Sequence, residues 1–174
     1  PNNKELLMSL VLFEIRDNIG LLTLNNPSKR NMLTAEVCEL IVDYVAQAEQ
    51  HPDVKALIVT GNGPTFCAGG QLTDITADQL MLENIYSGFL CIAQCELPTI
   101  AAVNGPAVGA GFNMAVGCDV RIVTENARFE PRFFGLGLHP GGGNSWMLRQ
   151  LVNWNTAAGM LLSSTLWQLK PCGV

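Results

Sequence analysis

The chain has 174 residues, of which 48% are hydrophobic and 14% are charged, with a formal net charge of −5. This composition predicts one packed globular domain and excludes a disordered chain. The acidic balance argues against nucleic acid or an anionic membrane as a partner. No apolar run reaches the roughly 18 residues of a membrane span. The N-terminal residues also lack the basic and apolar regions of a signal peptide, so we expect a cytoplasmic protein.

The first predicted elements are two short strands, Val11–Arg16 and Ile19–Leu24, joined by a turn at Asp17-Asn18. Thr34 is a candidate N-cap for a helix in which apolar residues recur at helical spacing. The segment that begins at His51 and Pro52 should end this helix, because the residue before a proline disfavours helical geometry.

Three later apolar runs predict strands buried on both faces: 56–60, Thr99–Val103 and Val120–Val123. Helices are predicted over residues 77–96 and up to Gly117. The order of strand, glycine-rich turn, helix and strand predicts an α/β fold with parallel strands and right-handed crossovers. We expect a single domain over residues 1–174, with residues 1–7 as an upstream or added segment.

The six cysteines have apolar neighbours, and reduced, buried thiols are the simplest interpretation. Cys91 and Cys95 are a possible pair, but their spacing fits one helix face better than a zinc site. With only His51 and His139 as histidines, we expect no metal site.

Two glycine-rich turns are the main candidate ligand sites: Gly69-Gly70 and Gly109-Ala110-Gly111. Glycine lets backbone approach a ligand, and the second turn opens a helix whose N-terminus favours negative charge. Spacing alone favours the simpler interpretation, that these glycines tighten turns. Met114 stands where a dinucleotide fingerprint needs its third glycine, and no Lys-Ser/Thr pair follows for a P-loop.

Five segments together resemble the enoyl-CoA hydratase/isomerase (crotonase) family. They read LNNPSKRNML (24–33), FCAGGQL (66–72), PTIAAVNGPAVGAG (98–111), CDVRI (118–122), and ARF (127–129) followed by GLGLHPGGG (135–143). They occur in the family's order and spacing over nearly the whole chain. The resemblance implies a crotonase-like α/β spiral of repeated β-β-α units. It also implies a homotrimer or hexamer, and a C-terminal helical region that is largely missing from this chain.

The resemblance also implies a set of site residues. The backbone N–H groups of Gly70 and Ala110 fall on the family's oxyanion hole, which polarises a thioester carbonyl. The positions implied to bind CoA are Lys29, Arg30, Met32, Ala68, Gln71 and Leu72. A solvated loop is the alternative for the two cations, although the acidic background favours binding. No cofactor is implied beyond the CoA thioester, which is the substrate.

The sequence departs from the family where the hydratases carry two catalytic glutamates, because Asn113 and Arg132 stand at those positions. Neither side chain can act as a base, and a positioned acid or base contributes roughly 10²–10⁴-fold. Glu130, Arg132 as a cation, or His139 could substitute. The alternatives are a salt bridge involving Glu130 and Arg132, and a turn-packing role for His139.

Two hypotheses follow. The first is an enzyme (a lyase or an isomerase) that forms an enolate from an acyl-CoA in fatty-acid or related metabolism. The second is a catalytically impaired acyl-CoA-binding protein of the same fold. A serine hydrolase is disfavoured, because no serine lies at a glycine turn with a histidine placed as its base.

Overall fold

The computed structural model describes residues 9–71, 79–163 and 167. These residues form seven strands, five α-helices and two short 3-10 helices. The strands are β1 (Val11–Arg16), β2 (Ile19–Leu24), β3 (Ala56–Gly61), β4 (Thr99–Val103), β5 (Pro106–Val108), β6 (Val120–Val123) and β7 (Arg128–Glu130). The α-helices are α1 (Ala35–Gln50), α2 (Gln79–Ala93), α3 (Ala110–Gly117), α4 (Asn144–Leu151) and α5 (Trp154–Ser163). Short 3-10 helices cover Pro27–Lys29 and Phe134–Leu136.

The main sheet has five strands in the order β1-β2-β3-β4-β6. β1 and β2 are an antiparallel hairpin, whereas β2, β3, β4 and β6 are parallel to one another. Asp17 and Asn18 both have positive φ, at 48° and 65°, which suits a two-residue hairpin turn. The predicted α/β fold with parallel strands is therefore confirmed, with one antiparallel strand at its edge.

Helix α1 begins where the sequence predicts. The Thr34 hydroxyl accepts a hydrogen bond from the Val37 N–H at 3.3 Å, which satisfies one of the unpaired amides at a helix start. The buried side chains of α1 lie on one face and join a core with the inner face of the main sheet; from the helix they are Val37, Cys38, Ile41, Val45 and Ala48.

The prediction that the apolar strands are buried on both faces is wrong. Burial alternates along β3, so Leu57 and Val59 are fully buried while Ile58 is only partly buried. On β6 the side chains of Val120 and Ile122 are 51% and 62% exposed. The physical reason is position, since β6 is an edge strand and its apolar residues continue the less buried face of the sheet.

A second, two-stranded sheet was not predicted. β5 and β7 pair in parallel, with Ala107 opposite Phe129 and Val108 opposite Glu130. The sequence around β5 reads as a glycine-rich turn, because three residues are too few to show a strand period. This small sheet leads directly into the turn before α3.

Helix α2 ends at Ala93, so Cys95 lies beyond it rather than on one helix face with Cys91. The predicted start at residue 77 falls outside the described residues. α2 packs closely on α1, because a Cβ on Gly88 would overlap the Cys38 side chain and lie 2.9 Å from its Cα. The thiols of Cys38, Cys67 and Cys118 are free and buried.

Candidate active site

The first of the two glycine turns is clamped between neighbouring segments. The Leu33 N–H donates to the Gly69 carbonyl at 2.8 Å, and the Gln71 N–H donates to the Leu33 carbonyl at 3.0 Å. On the other side, the Val108 N–H donates to the Cys67 carbonyl at 2.9 Å. These bonds fix the backbone on both sides of Gly70.

Gly69 has a φ of +94°, and a Cβ there would lie 2.7 Å from the Val108 carbonyl oxygen. Both its conformation and its close contact with β5 therefore require glycine. The same Cβ position is 3.4 Å from the Ala110 nitrogen, so the turn that carries Gly70 lies beside the turn that opens α3.

The second turn is held by the small sheet. The Gly109 N–H donates to the Glu130 carbonyl of β7 at 2.9 Å, and Ala110 is the first residue of α3. The N–H groups of a first helical turn lack intrahelical acceptors. Neither the Gly70 N–H nor the Ala110 N–H donates a hydrogen bond to another residue in the described part of the chain.

A pocket of about 720 Å³ opens onto these two amides. Lys29 and Arg30 lie at its polar side, and α2 supplies an apolar wall. The other lining residues are Met32, Ala68, Gly69, Gly70, Gln71, Leu82, Ile85, Tyr86, Phe89, Val108, Gly109, Ala110, Asn113, Pro131, Arg132, Phe133, Leu136, Leu138, His139 and Gly141. Among the described residues, no Asp or Glu lines this pocket.

The structure thus brings together most of the residues that the sequence singled out. Gly70, Ala110, Asn113, Arg132 and His139 line one pocket. So do the implied CoA positions Lys29, Arg30, Met32, Ala68 and Gln71. Glu130 is not among the lining residues, and Leu72 lies outside the described residues.

Asn113 is 1% exposed, and its amide has two identified partners. Its Nδ2 donates to the Gly141 carbonyl at 3.1 Å, and its Oδ1 accepts a hydrogen bond from Nδ2 of Asn144. These bonds leave one N–H of the Asn113 amide free of an identified partner, so this side chain can hold a ligand or a water but cannot remove a proton.

Arg132 and Glu130 form an ion pair, with 3.5 Å between Nη1 and Oε2. The Arg132 side chain is 53% exposed and the Glu130 side chain 10%. This contact is the salt bridge that the sequence left open as one alternative. Arg132 also has a φ of +57°, an uncommon conformation for a residue with a side chain.

Asn31 ties the loop that carries the two cations to the segment that precedes the first glycine turn. This residue is 2% exposed, and its Nδ2 donates to the carbonyls of Asn62 and Thr65 at 2.9 and 2.8 Å. Its Oδ1 accepts from the Asn26 N–H at 2.9 Å. In addition, the Ala68 N–H donates to the Arg30 carbonyl at 3.0 Å.

The buried thiol nearest the turns is not a nucleophile. Burial raises the pKa of Cys67 to about 12, so the thiolate is scarcely populated near neutral pH. Within the described residues there is no group of three or more His, Cys, Asp or Glu side chains that could hold a metal ion.

Sequence reasoning missed the pocket wall on α2. Leu82, Ile85, Tyr86 and Phe89 recur at helical spacing, which is the signal of a helix face that packs against something. The pattern does not distinguish a face against the core from one against a pocket. Asn144 was also missed, because nothing local indicates that this first residue of α4 reaches Asn113.

The two amide-bearing turns, held between parallel strands and a helix N-terminus, are features of the fold class that the sequence motifs implied. The family model for enoyl-CoA hydratase/isomerase matches residues 14–169. The chain belongs to the enoyl-CoA hydratase/isomerase family.

Individual relatives agree with this assignment. The chain is 45% identical over 157 residues to the probable enoyl-CoA hydratase EchA14 of Mycobacterium tuberculosis, covering 87% of this chain and 61% of that protein. It is 32% identical to the 1,2-epoxyphenylacetyl-CoA isomerase of Escherichia coli, covering 90% of this chain and 63% of the relative.

Solved structures show the same fold. The crystal structure of an enoyl-CoA hydratase from Polaromonas sp. JS666 superposes with a TM-score of 0.82 at 31% identity, covering 91% of this chain and 65% of that one. The chain therefore spans about three fifths of the length of these relatives. None of the helices in the described segments has both the length and the apolar character needed to cross a bilayer.

Proposed function

We propose that the chain acts on an acyl-CoA thioester, whose carbonyl oxygen accepts hydrogen bonds from the Gly70 and Ala110 N–H groups. The observation that carries this proposal is the pair of backbone amides, free of described acceptors, in adjacent turns at one pocket. Such donors stabilise the negative charge that develops on the oxygen, and each contributes roughly 2.7–4 kcal/mol to transition-state stabilisation.

The distribution of charge in the pocket supports a CoA ester as the ligand. Lys29 and Arg30 supply cations for phosphate groups, although the whole chain has a net charge of −5. The α2 wall supplies apolar surface for an acyl chain. In this arrangement the backbone carbonyl of Ala68 accepts from the adenine, as the family resemblance implies.

The reaction that we propose proceeds through an enolate, as in hydration or isomerisation of an enoyl thioester. Asn113 and Arg132 cannot remove a proton. Among the described lining residues, His139 carries the imidazole, the side chain that most often transfers protons in enzymes. We therefore assign His139 as the base, with Arg132 stabilising negative charge.

Turnover of crotonyl-CoA by the pure chain tests this function. Loss of the conjugated thioester absorbance should exceed the buffer rate, and His139→Gln should lower it by roughly 10²-fold or more. If the absorbance falls no faster with the wild-type chain than in buffer alone, the hydratase activity is refuted.

The second candidate is a binding protein without turnover, and the replacement of both glutamates by Asn113 and Arg132 is what favours it. Calorimetric titration with butyryl-CoA, combined with the crotonyl-CoA turnover assay, separates the two candidates. Binding without turnover supports the second, whereas no binding at millimolar ligand rules out both.

We also infer that the whole protein assembles as a trimer or hexamer, as the resemblance implies. Trp146 and Trp154 on α4 and α5 are 68% and 60% exposed, which fits an interface surface. Light scattering on the purified protein would reveal a monomer if this is wrong.

A further inference from the structure

Tyr86 belongs to the apolar wall that α2 supplies to the pocket. Tyr86 is on α2, and a Cβ on Gly141 would overlap its hydroxyl oxygen. Asn113 donates to the carbonyl of the same Gly141, so the phenol, this glycine and the Asn113 amide meet at one place. Both side chains line the pocket.

The hydroxyl has no protein partner among the described residues, whereas a phenol can donate one hydrogen bond and accept others. Its surroundings on the same helix are apolar, with Leu82, Ile85 and the Phe89 ring, which meets the Tyr86 ring edge-on at 5.6 Å. Burial raises the pKa of Tyr86, so the group is a proton-bearing donor at neutral pH.

A phenylalanine would fill this wall without an unpaired polar atom. The hydroxyl is not enclosed by the protein, so an acceptor on a bound ligand can take the place of solvent as its partner. Four other polar groups of the pocket are assigned to other parts of a CoA ester. Gly70 and Ala110 face the thioester oxygen, and Lys29 and Arg30 face the phosphates.

We propose that Tyr86 is a specificity-determining residue, whose hydroxyl donates a hydrogen bond to an oxygen on the acyl chain beyond the thioester carbonyl. The pocket then selects acyl-CoA esters that carry a hydroxyl or keto oxygen over plain hydrocarbon esters. This inference rests on the proposed function, because it places the thioester at the two amides.

Calorimetric titration with three esters of equal chain length tests the inference: butyryl-CoA, 2-hydroxybutyryl-CoA and 4-hydroxybutyryl-CoA. The wild-type chain should bind at least one hydroxy ester about fivefold to tenfold more tightly than butyryl-CoA, the gain of one net hydrogen bond. Tyr86→Phe should abolish that preference, so that its Kd values for the hydroxy esters approach its own Kd for butyryl-CoA.

Tyr44→Phe is the matched control, because Tyr44 is the other tyrosine of the chain and stacks on Phe13 with ring centroids 5.3 Å apart. It does not line the pocket, so the preference for a hydroxy ester should survive.

Two results overturn the inference while leaving the proposed function intact. One is a wild-type chain that binds all three esters equally, a measurement that needs no variant. The other is a Tyr86→Phe variant in which all three affinities fall by the same factor, which assigns Tyr86 to packing or to the thioester. Absence of binding by all three esters refutes the proposed function itself.

Discussion

Asn144 donates a side-chain hydrogen bond to Asn113, and the two residues are 0% and 1% exposed. The pair joins the first residue of α4 to the interior of α3. Because Asn113 also donates to the Gly141 carbonyl, its amide is oriented from two directions. The pocket side of Asn113 is therefore set by residues that follow it by 28 to 31 positions.

Asn144→Ala should lower the free energy of unfolding by about 1–3 kcal/mol, because it leaves the buried Asn113 oxygen without this donor. Urea denaturation at pH 7 measures the change. Asn155→Ala is the control, since Asn155 is exposed on α5 and should change the free energy by less than about 0.5 kcal/mol. Equal stability of the two variants would contradict the role assigned to the pair.

Ala110→Pro should remove one oxyanion donor with little effect on the fold. Ala110 is the first residue of α3, where proline is tolerated because its N–H has no intrahelical acceptor. We expect kcat/KM for an enoyl-CoA to fall roughly 10²–10³-fold.

Ala110→Gly keeps the N–H and is the matched variant, so its kcat/KM should stay within a few fold of the wild-type value. If the two variants lose activity equally, the effect comes from the side chain or the helix start and not from the amide.

Two glycines inside helices should respond oppositely to alanine. Gly88→Ala forces a Cβ against Cys38 at the contact between α2 and α1, so the free energy of unfolding should fall by about 1–3 kcal/mol. Gly159→Ala on α5 meets its nearest described neighbour, Trp167, at 3.6 Å, and should raise the stability by about 0.5–1 kcal/mol. Thermal unfolding of both variants tests the difference in sign.

The buried Cys67 thiol makes stability depend on pH in the alkaline range. Its folded pKa, about 12, is higher than the ordinary value of 9.0, so above pH 9 the unfolded state binds fewer protons than the folded state. The protonated Cys67 thiol makes its full contribution to the free energy of unfolding below about pH 9, and this contribution is lost as the pH rises toward 12. Between pH 9.5 and 10.5, Cys67→Ala should lose about 1 kcal/mol less stability than the wild type.

Urea denaturation at the two pH values gives this difference directly. The variant is expected to be less stable at pH 7 because a buried side chain is truncated, so only the change with pH carries the test. Parallel loss of stability in both chains would show that Cys67 is not protected from ionisation in the folded state.

Local signals predicted the elements that the chain forms by itself. The hairpin of β1 and β2 has two adjacent turn residues, Asp17 and Asn18, and α1 has both an N-cap and a helical apolar period. These features act within a few residues, so they can be read from the sequence. β5 and β7 could not be, because each has three residues and they pair across more than 20 positions.

The burial of side chains at the sheet edge and the set of residues that line the pocket both depend on residues that are far apart in the sequence. Ile122 and Ile58 both lie in apolar runs that predict strands, and the strand order shows that Ile122 lies on an edge. The motifs singled out Gly70 and Ala110, and both residues line the pocket. The motifs did not indicate Tyr86, because its helix face has the same spacing as a face packed in the core.

The hydrogen bonds of Asn31 fix the spacing between two parts of the proposed ligand site, the cation loop and the Gly70 amide. They join the loop of Lys29 and Arg30 to the segment that precedes Gly70, so the backbone that carries the cations is held close to the backbone that carries the amide. The distance between them is set by the protein and not by the ligand. A ligand therefore fits only when the distance between its charged group and its thioester matches the spacing between the cation loop and the amide.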